Sequence, residues 1–270
     1  MPYTVRSVER AVQILSVLGE AGQALSLTEL AVRAELPQAT TLRLLRTLAN
    51  AGLVKRDNAT SRYFLGPTIL VLAFDLLKGM ELRQAALPHM TALRDVTEET
   101  VILAILDEVD VVQVERVESQ QTLRTATSVG KRIPAHCTSL GKILLAYADP
   151  HTVDEVLQSH PLTSYTPKTI TDPDQVRSQL SEVRRSGIAL GDREYHEHIR
   201  GISAPIFDAS GTAVGAICLS GPVHRLTVSR IRSLEQEVKK AAEAISRELG
   251  WRANRSRPLP VAGSHQEFTD

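Results

Sequence analysis

Apolar residues in the first fifty positions return every three or four places, the spacing of helices with one buried face. Val8, Ala11, Val12, Leu15 and Leu18 mark such a face on a helix from Ser7 to Ala21, and Gly22 follows as a stop signal. Ser26-Leu27-Thr28-Glu29 is a capping box, in which the Ser26 hydroxyl caps while the Glu29 carboxylate reaches back to the Ser26 N–H. It opens a short second helix with Leu27, Leu30 and Ala31 inward. Ala34-Glu35-Leu36 turns into a third helix at Pro37, a residue suited to a first helical turn because its missing N–H costs nothing there. Thr41, Leu44, Leu45 and Leu48 form the inward face of that helix, and Gly52 is placed for the left-handed position beyond its end.

From Leu53 the period becomes two. Leu53-Val54-Lys55-Arg56 and Arg62-Tyr63-Phe64-Leu65 read as paired strands around the turn-forming loop Asp57 to Ser61. Three helices followed by a basic hairpin predict a winged helix-turn-helix over residues 1–66, whose third helix enters the major groove of double-stranded DNA. Gln38, Ala39, Thr40, Leu42, Arg43 and Arg46 are its candidate DNA-facing residues. Amide and guanidinium groups match base edges, and no acid stands among them to repel phosphate. Lys55, Arg56 and Arg62 on the wing are placed for phosphates or a minor groove.

An apolar helix from Leu70 to Gly79 makes residues 67–82 a linker helix, and a second helix, Leu82 to Thr97, leads onward. Strands are predicted at Thr100 to Leu106, Val109 to Val117 and Thr122 to Thr127. Helices are predicted from Ser139 to Ala146, from Thr152 to Gln158, and from the Asp172-Pro173-Asp174 cap through Arg185 to a stop at Gly187. Ile199 to Phe207 and Thr212 to Ser220 form a hairpin around Asp208-Ala209-Ser210-Gly211, and Leu226-Thr227 opens a last helix to about Leu249. Antiparallel strands flanked by helices predict an α+β domain over 83–250. Residues 251–270 are polar, carry Pro258, Pro260 and Gly263, and read as a disordered tail.

Length and composition bound this picture. A chain of 270 residues holds two domains, and 43% hydrophobic with 23% charged residues is the balance of a soluble globular protein. No apolar run approaches the ~20 residues that span a bilayer, and Met1 to Arg6 lacks a signal-peptide core, so neither a membrane nor export is expected. Two cysteines, Cys137 and Cys218, are too few for a disulfide framework and fit a cytoplasmic protein. Zero net charge seems to argue against nucleic acid. Yet within residues 1–66 eight basic side chains face five acidic ones, a local balance of +3 concentrated on the third helix and the hairpin.

Ser7-Val8-Glu9-Arg10-Ala11, Leu27-Thr28-Glu29-Leu30-Ala31, Leu36-Pro37, Arg43-Leu44-Leu45-Arg46-Thr47-Leu48 and Tyr63-Phe64-Leu65-Gly66-Pro67 stand in the order and spacing of a known family. The chain resembles the IclR-type bacterial transcription regulators, and the likeness runs nearly to residue 250. The resemblance implies a GAF-like C-terminal fold with a small-molecule effector pocket, a linker helix that helps DNA-binding domains pair, and a homodimer or homotetramer acting on operator DNA, commonly as a repressor. It implies that Ile133, Ser139, Leu140, Gly191, Ile199, Gly201, Cys218 and Ser220 line the pocket. Two departures stand out. After the proline many members carry Lys-Ser-Thr-Val-His-Arg where this chain has Gln38-Ala39-Thr40-Thr41-Leu42-Arg43, so Arg43 is kept while other base-facing positions change. Gly191 and Gly201 stand where members often carry an acid and a cysteine. One reading is a roomier, less acidic pocket for a substituted aromatic acid or similar ligand, its carboxylate received by the helix starting near Ser139. The other is that the glycines merely relieve backbone strain.

Two rivals remain at this stage: a metabolic enzyme with an N-terminal interaction domain, and a constitutive DNA-binding protein whose C-terminal domain only oligomerises. His136, Cys137, Ser139 and Cys218 invite a nucleophile reading, but no Gly-x-Ser-x-Gly elbow is present and no catalytic residue is assigned. His136 reads as structural or at the pocket rim. Glu194-Tyr195-His196-Glu197-His198, with His224, gathers ligand types without a zinc spacing and reads as a polar loop over the pocket mouth, so no metal or cofactor is assigned. Lys131-Arg132 and Arg184-Arg185 read as solvated surface.

Overall fold

The computed structural model describes residues 4–158 and 162–252. The chain forms two compact units, Met1–Met80 and Glu81–Asp270.

The first unit opens with α1, Arg6–Ala21, ended by Gly22 in the left-handed conformation. Its buried side chains are Ile14 and Leu18. Val8 and Val12, expected inward, are 59% and 55% exposed, because the small core lies against the turn-length row through Ile14 and Leu18 instead. Next come α2, Leu27–Arg33, and α3, Gln38–Asn50. Pro37 sits one place before α3 with extended ψ, so it caps the helix rather than occupying its first turn. Thr41, Leu45 and Leu48 are buried and Leu44 is partly buried. Gly52 lies beyond the helix end with φ +72°.

The wing pairs β1, Val54–Arg56, with β2, Tyr63–Leu65, in antiparallel register. Tyr63 also bridges to Leu25, which ties the wing to the segment before α2. The helix α4, Pro67–Gly79, buries none of its residues; Leu70, Val71, Leu72, Phe74 and Leu76 are all more than half exposed.

The second unit is built on one six-stranded sheet. Its members are β3 (Thr100–Asp107), β4 (Asp110–Val117), β5 (Arg132–Pro134), β6 (Ala189–Asp192), β7 (Ile199–Phe207) and β8 (Ala213–Pro222), in the antiparallel order β5-β4-β3-β8-β7-β6. Among the described residues five helices complete it: α5 (Glu81–Thr97), α6 (Ser139–Tyr147), α7 (Pro150–Gln158), α8 (Pro173–Ser186) and α9 (Val228–Glu248). Side chains alternate across the pleat. Ile102, Ala104, Ala216 and Cys218 therefore join Leu140, Ile143 and Leu144 of α6 in one core. β7 and β8 are buried almost throughout, including the polar Arg200 and Ser203 of β7 and Ser220 of β8. This is the α+β architecture expected of the chain.

Two local expectations fail. Residues 122–127 form no strand, while Arg132–Pro134 and Ala189–Asp192, not expected as strands, do. The outer edge of β4 is already occupied, since Val111 pairs with Ile133 and Gln113 exchanges backbone bonds with Gly130 and Lys131. The β-branched stretch around Thr125 is left without a ladder to join. Trp251, read as the start of the tail, stacks on Phe207 with ring centroids 5.5 Å apart. Residues 253–270 of that tail lie outside the described residues. No helix among the described residues is long and apolar enough to cross a membrane.

Candidate functional site

The helix pair of the first unit is locked by its caps. Ser26 N–H donates to Glu29 Oε2 at 2.7 Å, and Glu29 N–H donates to the Ser26 hydroxyl at 3.3 Å. These Ser26 bonds hold the Glu29 carboxyl below its ordinary range, with Arg62 and Arg33 adding to the effect. The turn into α3 passes through Glu35 at φ +51° and closes by Leu36 N–H to the Ala31 carbonyl.

On α3, Gln38, Ala39, Arg43 and Arg46 are exposed, while Thr40 and Leu42 are partly buried. Arg43 and Arg46 form no ion pair among the described residues. Gln38 donates to the Thr28 hydroxyl at 3.0 Å, so in this state its amide braces α3 against α2. On the wing Lys55 is exposed, and Arg56 donates to the Ser61 hydroxyl and lies over the Tyr63 ring. Arg62 is differently occupied. Its guanidinium donates to the Ala24 carbonyl at 2.9 Å and to Glu29 Oε2 at 3.2 Å, which turns it toward the capped start of α2.

In the second unit Ile133, Ser139, Leu140, Gly191, Ile199, Gly201, Cys218 and Ser220 all line one cavity of about 90 Å³. The register explains the convergence. Gly191, Gly201, Ser220 and Thr100 are directly opposed across four strands, and Ser203, Cys218 and Ile102 form the neighbouring row. The start of α6 presses onto these rows. Ser203 donates to Ser139 Oγ at 2.9 Å, and Ser139 Oγ lies 3.4 Å from Cys218 Sγ. Thr138 caps α6 by accepting from Gly141 N–H, leaving the Ser139 and Leu140 N–H groups without an intrahelical acceptor.

The two glycines serve this approach. A Cβ at Gly191 would stand 3.0 Å from Ser139 N, and one at Gly201 would stand 3.0 Å from Ser139 Oγ and 3.3 Å from Cys218 Sγ. Neither glycine has a positive φ, so the reason is close packing rather than backbone strain. A Cβ at either position would press on Ser139, so the missing side chains make room for the start of α6.

The lining also holds residues that sequence reasoning placed elsewhere. Glu194, read as part of a loop over the mouth, is buried on the wall, so the pocket keeps an acid despite Gly191. Lys142 Nζ, also buried, lies 2.6 Å from Glu194 Oε1. Lys131, read as solvated surface, is half-buried on the lining and forms no ion pair among the described residues. Gln113, Thr125 and Thr127 complete the polar side, tied by the bond between the Thr125 and Ser220 hydroxyls and by Thr127 donating to the Gln113 side-chain Oε1. A polar residue inside an apolar strand, Gln113 among valines, was the available signal; Lys131 and Glu194 gave none. Arg132 meanwhile pairs with Asp107 and Asp110 at the surface, Arg184 donates to the Ala146 carbonyl, and Arg185 pairs with Glu182.

His136 does not reach this cavity. It lines a neighbouring cleft with Tyr165, its Nε2 is 3.1 Å from the Thr163 carbonyl, and burial holds its pKa below the ordinary value. Burial, reinforced by Glu194, pushes the Cys137 thiol up to about 12, and burial likewise raises Cys218. Neither supplies a thiolate near neutral pH. In the Glu194 to His198 stretch Tyr195 packs edge-on against Tyr165, and burial and the Lys131 charge lower His196. No three His, Cys, Asp or Glu side chains gather in a metal-binding cluster among the described residues.

Residues 7–58 match the IclR helix-turn-helix domain family, and residues 74–247 match the family of bacterial transcriptional regulator IclR C-terminal domains. The glycerol operon regulatory protein of Streptomyces coelicolor is 34% identical over 93% of this chain and 98% of its own length. The Pca regulon regulatory protein of Pseudomonas putida is 32% identical over 92% and 84%. An IclR homologue from Microbacterium hydrocarbonoxydans, solved with 4-hydroxybenzoate, superposes with TM-score 0.78 at 28% identity, covering 90% of this chain and 98% of that one. The relatives are regulators of transcription, not enzymes, and both family matches fall on the two units described above: this chain belongs to the IclR family of bacterial transcriptional regulators.

Proposed function

We propose that this regulator responds to a small organic acid, aromatic or short-chain, and controls a catabolic operon for it, commonly by repression. The observation that carries this reading is the cavity between the sheet and the start of α6. Its walls are mainly apolar, yet the first N–H groups of α6 and Lys131, which forms no ion pair among the described residues, offer positive potential to a carboxylate. The relatives favour it too, since one is named for the Pca regulon and a structural neighbour was solved with 4-hydroxybenzoate.

The outward side of α3 reads operator DNA in the cytoplasm, with Arg43 and Arg46 free to donate to guanine edges or phosphates, and the wing supplies Lys55 and Arg56. A run of exposed apolar side chains along α4 suits pairing of two DNA-binding units, and the protein works as a homodimer or homotetramer. The acid shifts DNA affinity by no more than its differential affinity for the two states.

The test is fluorescence anisotropy with duplexes selected from a random pool, across a salt series, with and without aromatic and short-chain acids. Binding that weakens steeply with salt, prefers certain sequences and changes with an acid supports the reading. Arg43→Ala should cost about 1–3 kcal/mol of sequence-specific binding while leaving acid binding intact. Binding indifferent to every acid would instead favour a constitutive DNA-binding protein.

A further inference from the structure

Glu194 is more constrained than a lining residue needs to be. It follows Arg193, a non-glycine residue at φ +65°, and this turn is clamped by Thr166 Oγ1 donating to the Arg193 carbonyl and Thr169 Oγ1 donating to the Glu194 carbonyl. The side chain is 8% exposed. Its Oε1 accepts from Lys142 Nζ at 2.6 Å and from Asp192 N–H at 3.3 Å. Its Oε2 is buried and has no hydrogen-bond partner among the described residues. Buried polar atoms are nearly always satisfied, and an orphan on a cavity wall calls for a group that the cavity receives.

The same lining carries Lys131, without an acidic partner among the described residues, and the first turn of α6. One cavity therefore presents cationic and N–H donors for an anion, and separately a carboxylate oxygen lacking a donor. We infer that Glu194 Oε2 selects the ligand's second function: the acid held here also carries a hydrogen-bond donor, a hydroxyl or an ammonium group. A plain carboxylic acid leaves Oε2 unsatisfied, whereas a hydroxylated or aminated one completes it. This rests on the reading of the cavity as an acid-binding site.

Calorimetry on the full chain with matched probes tests it: propionate against lactate and alanine, and benzoate against 3- and 4-hydroxybenzoate. The substituted member of at least one set should bind about tenfold tighter than its parent, and lactate against alanine tells hydroxyl from ammonium. In Glu194→Gln the ratio of substituted-acid to parent-acid affinity should fall below about threefold, whatever the change in absolute affinity. Lys131→Gln should weaken parent and substituted acids by the same factor. If the Gln variant does not fold, Glu194→Asp keeps a charge for Lys142 while withdrawing the carboxylate, and should likewise erase the preference. Parent acids that bind as tightly as their derivatives, or a preference that survives these changes at Glu194, overturn the inference alone. Failure of every acid to bind removes the acid-binding reading and this inference together.

Discussion

Lys142 Nζ and Glu194 Oε1 stand 2.6 Å apart, with side chains only 4% and 8% exposed. The pair joins the middle of α6 to the turn after β6, and so holds one wall of the cavity against the helix that forms another. Two charges this deep lose most of their hydration, and their mutual attraction offsets that loss only while both are present.

Removing one partner should therefore be costly. Lys142→Met leaves the Glu194 charge uncompensated and is expected to destabilise the second unit by about 3–5 kcal/mol, whereas the double change with Glu194→Met should recover much of the loss. Trp251 is the single tryptophan and stacks on Phe207 within this unit, so its fluorescence in a urea titration reports the transition. A double variant less stable than the single one would contradict the account.

Asp192 gives the unit a dependence on acid. Burial alone would raise its carboxyl, but the Lys168 and Arg200 side chains outweigh burial and hold it at about 2. A depressed pKa means stability that is complete above the unfolded value, near about 4, and lost as pH falls toward about 2. Asp192→Asn should thus lower the melting temperature at neutral pH, with the gap to the natural protein closing between pH about 4 and about 2. A gap that stays constant across that window would refute the assignment.

Arg62 should separate folding from DNA contact on the wing. Its bonds to Ala24 and Glu29 are half-exposed, so Arg62→Ala is expected to destabilise the first unit by no more than about 1 kcal/mol. Ser26→Ala, which removes the cap itself, should cost about 1 kcal/mol. Hydrogen exchange at α2 amides would then quicken in both variants and not in Arg43→Ala, since Arg43 bonds to nothing that holds the helix pair.

Gly191 is predicted to be intolerant of even a methyl group. The added Cβ would stand 3.0 Å from Ser139 N and 3.4 Å from Ser139 Cβ, at the start of α6 where the helix cannot retreat without opening its packing on the sheet. Gly191→Ala is expected to cost about 1–3 kcal/mol and to weaken acid binding, both measurable by thermal shift with and without ligand. An unchanged melting temperature would show that α6 yields more easily than its burial implies.

Most of the fold was legible because its signals are local. The Ser26 and Glu29 box, the Asp172 cap, the left-handed Gly22, Gly52 and Gly187, and the period of three or four on α3 each act within a few residues. The alternation of Cys218 with Ser220 and of Ile199 with Gly201 likewise put their side chains on one face before any partner strand was known. What misled were features whose outcome depends on competition. Residues 122–127 have strand-forming character, but the edge they would join belongs to residues 130–134. Val8 and Val12 fit a helical stripe as well as Ile14 does, and only the position of the neighbouring helices decides which row is covered.

By itself the sequence determined the identity of the chain and the nature of its two parts: a helix-turn-helix with a wing, and an α+β domain whose face-sharing residues converge. Those depend on backbone periodicity and capping, which a linear string records. The tertiary structure decided what the pocket is made of. Glu194 and Lys142 are 52 residues apart and lie among polar and apolar neighbours that predict no such meeting. Lys131 and Gly191 took on their roles only when the start of α6 was pressed against the sheet. Burial, the pairing of distant charges and the orphaned Oε2 are properties of what surrounds a residue, and the order of residues along the chain does not carry them.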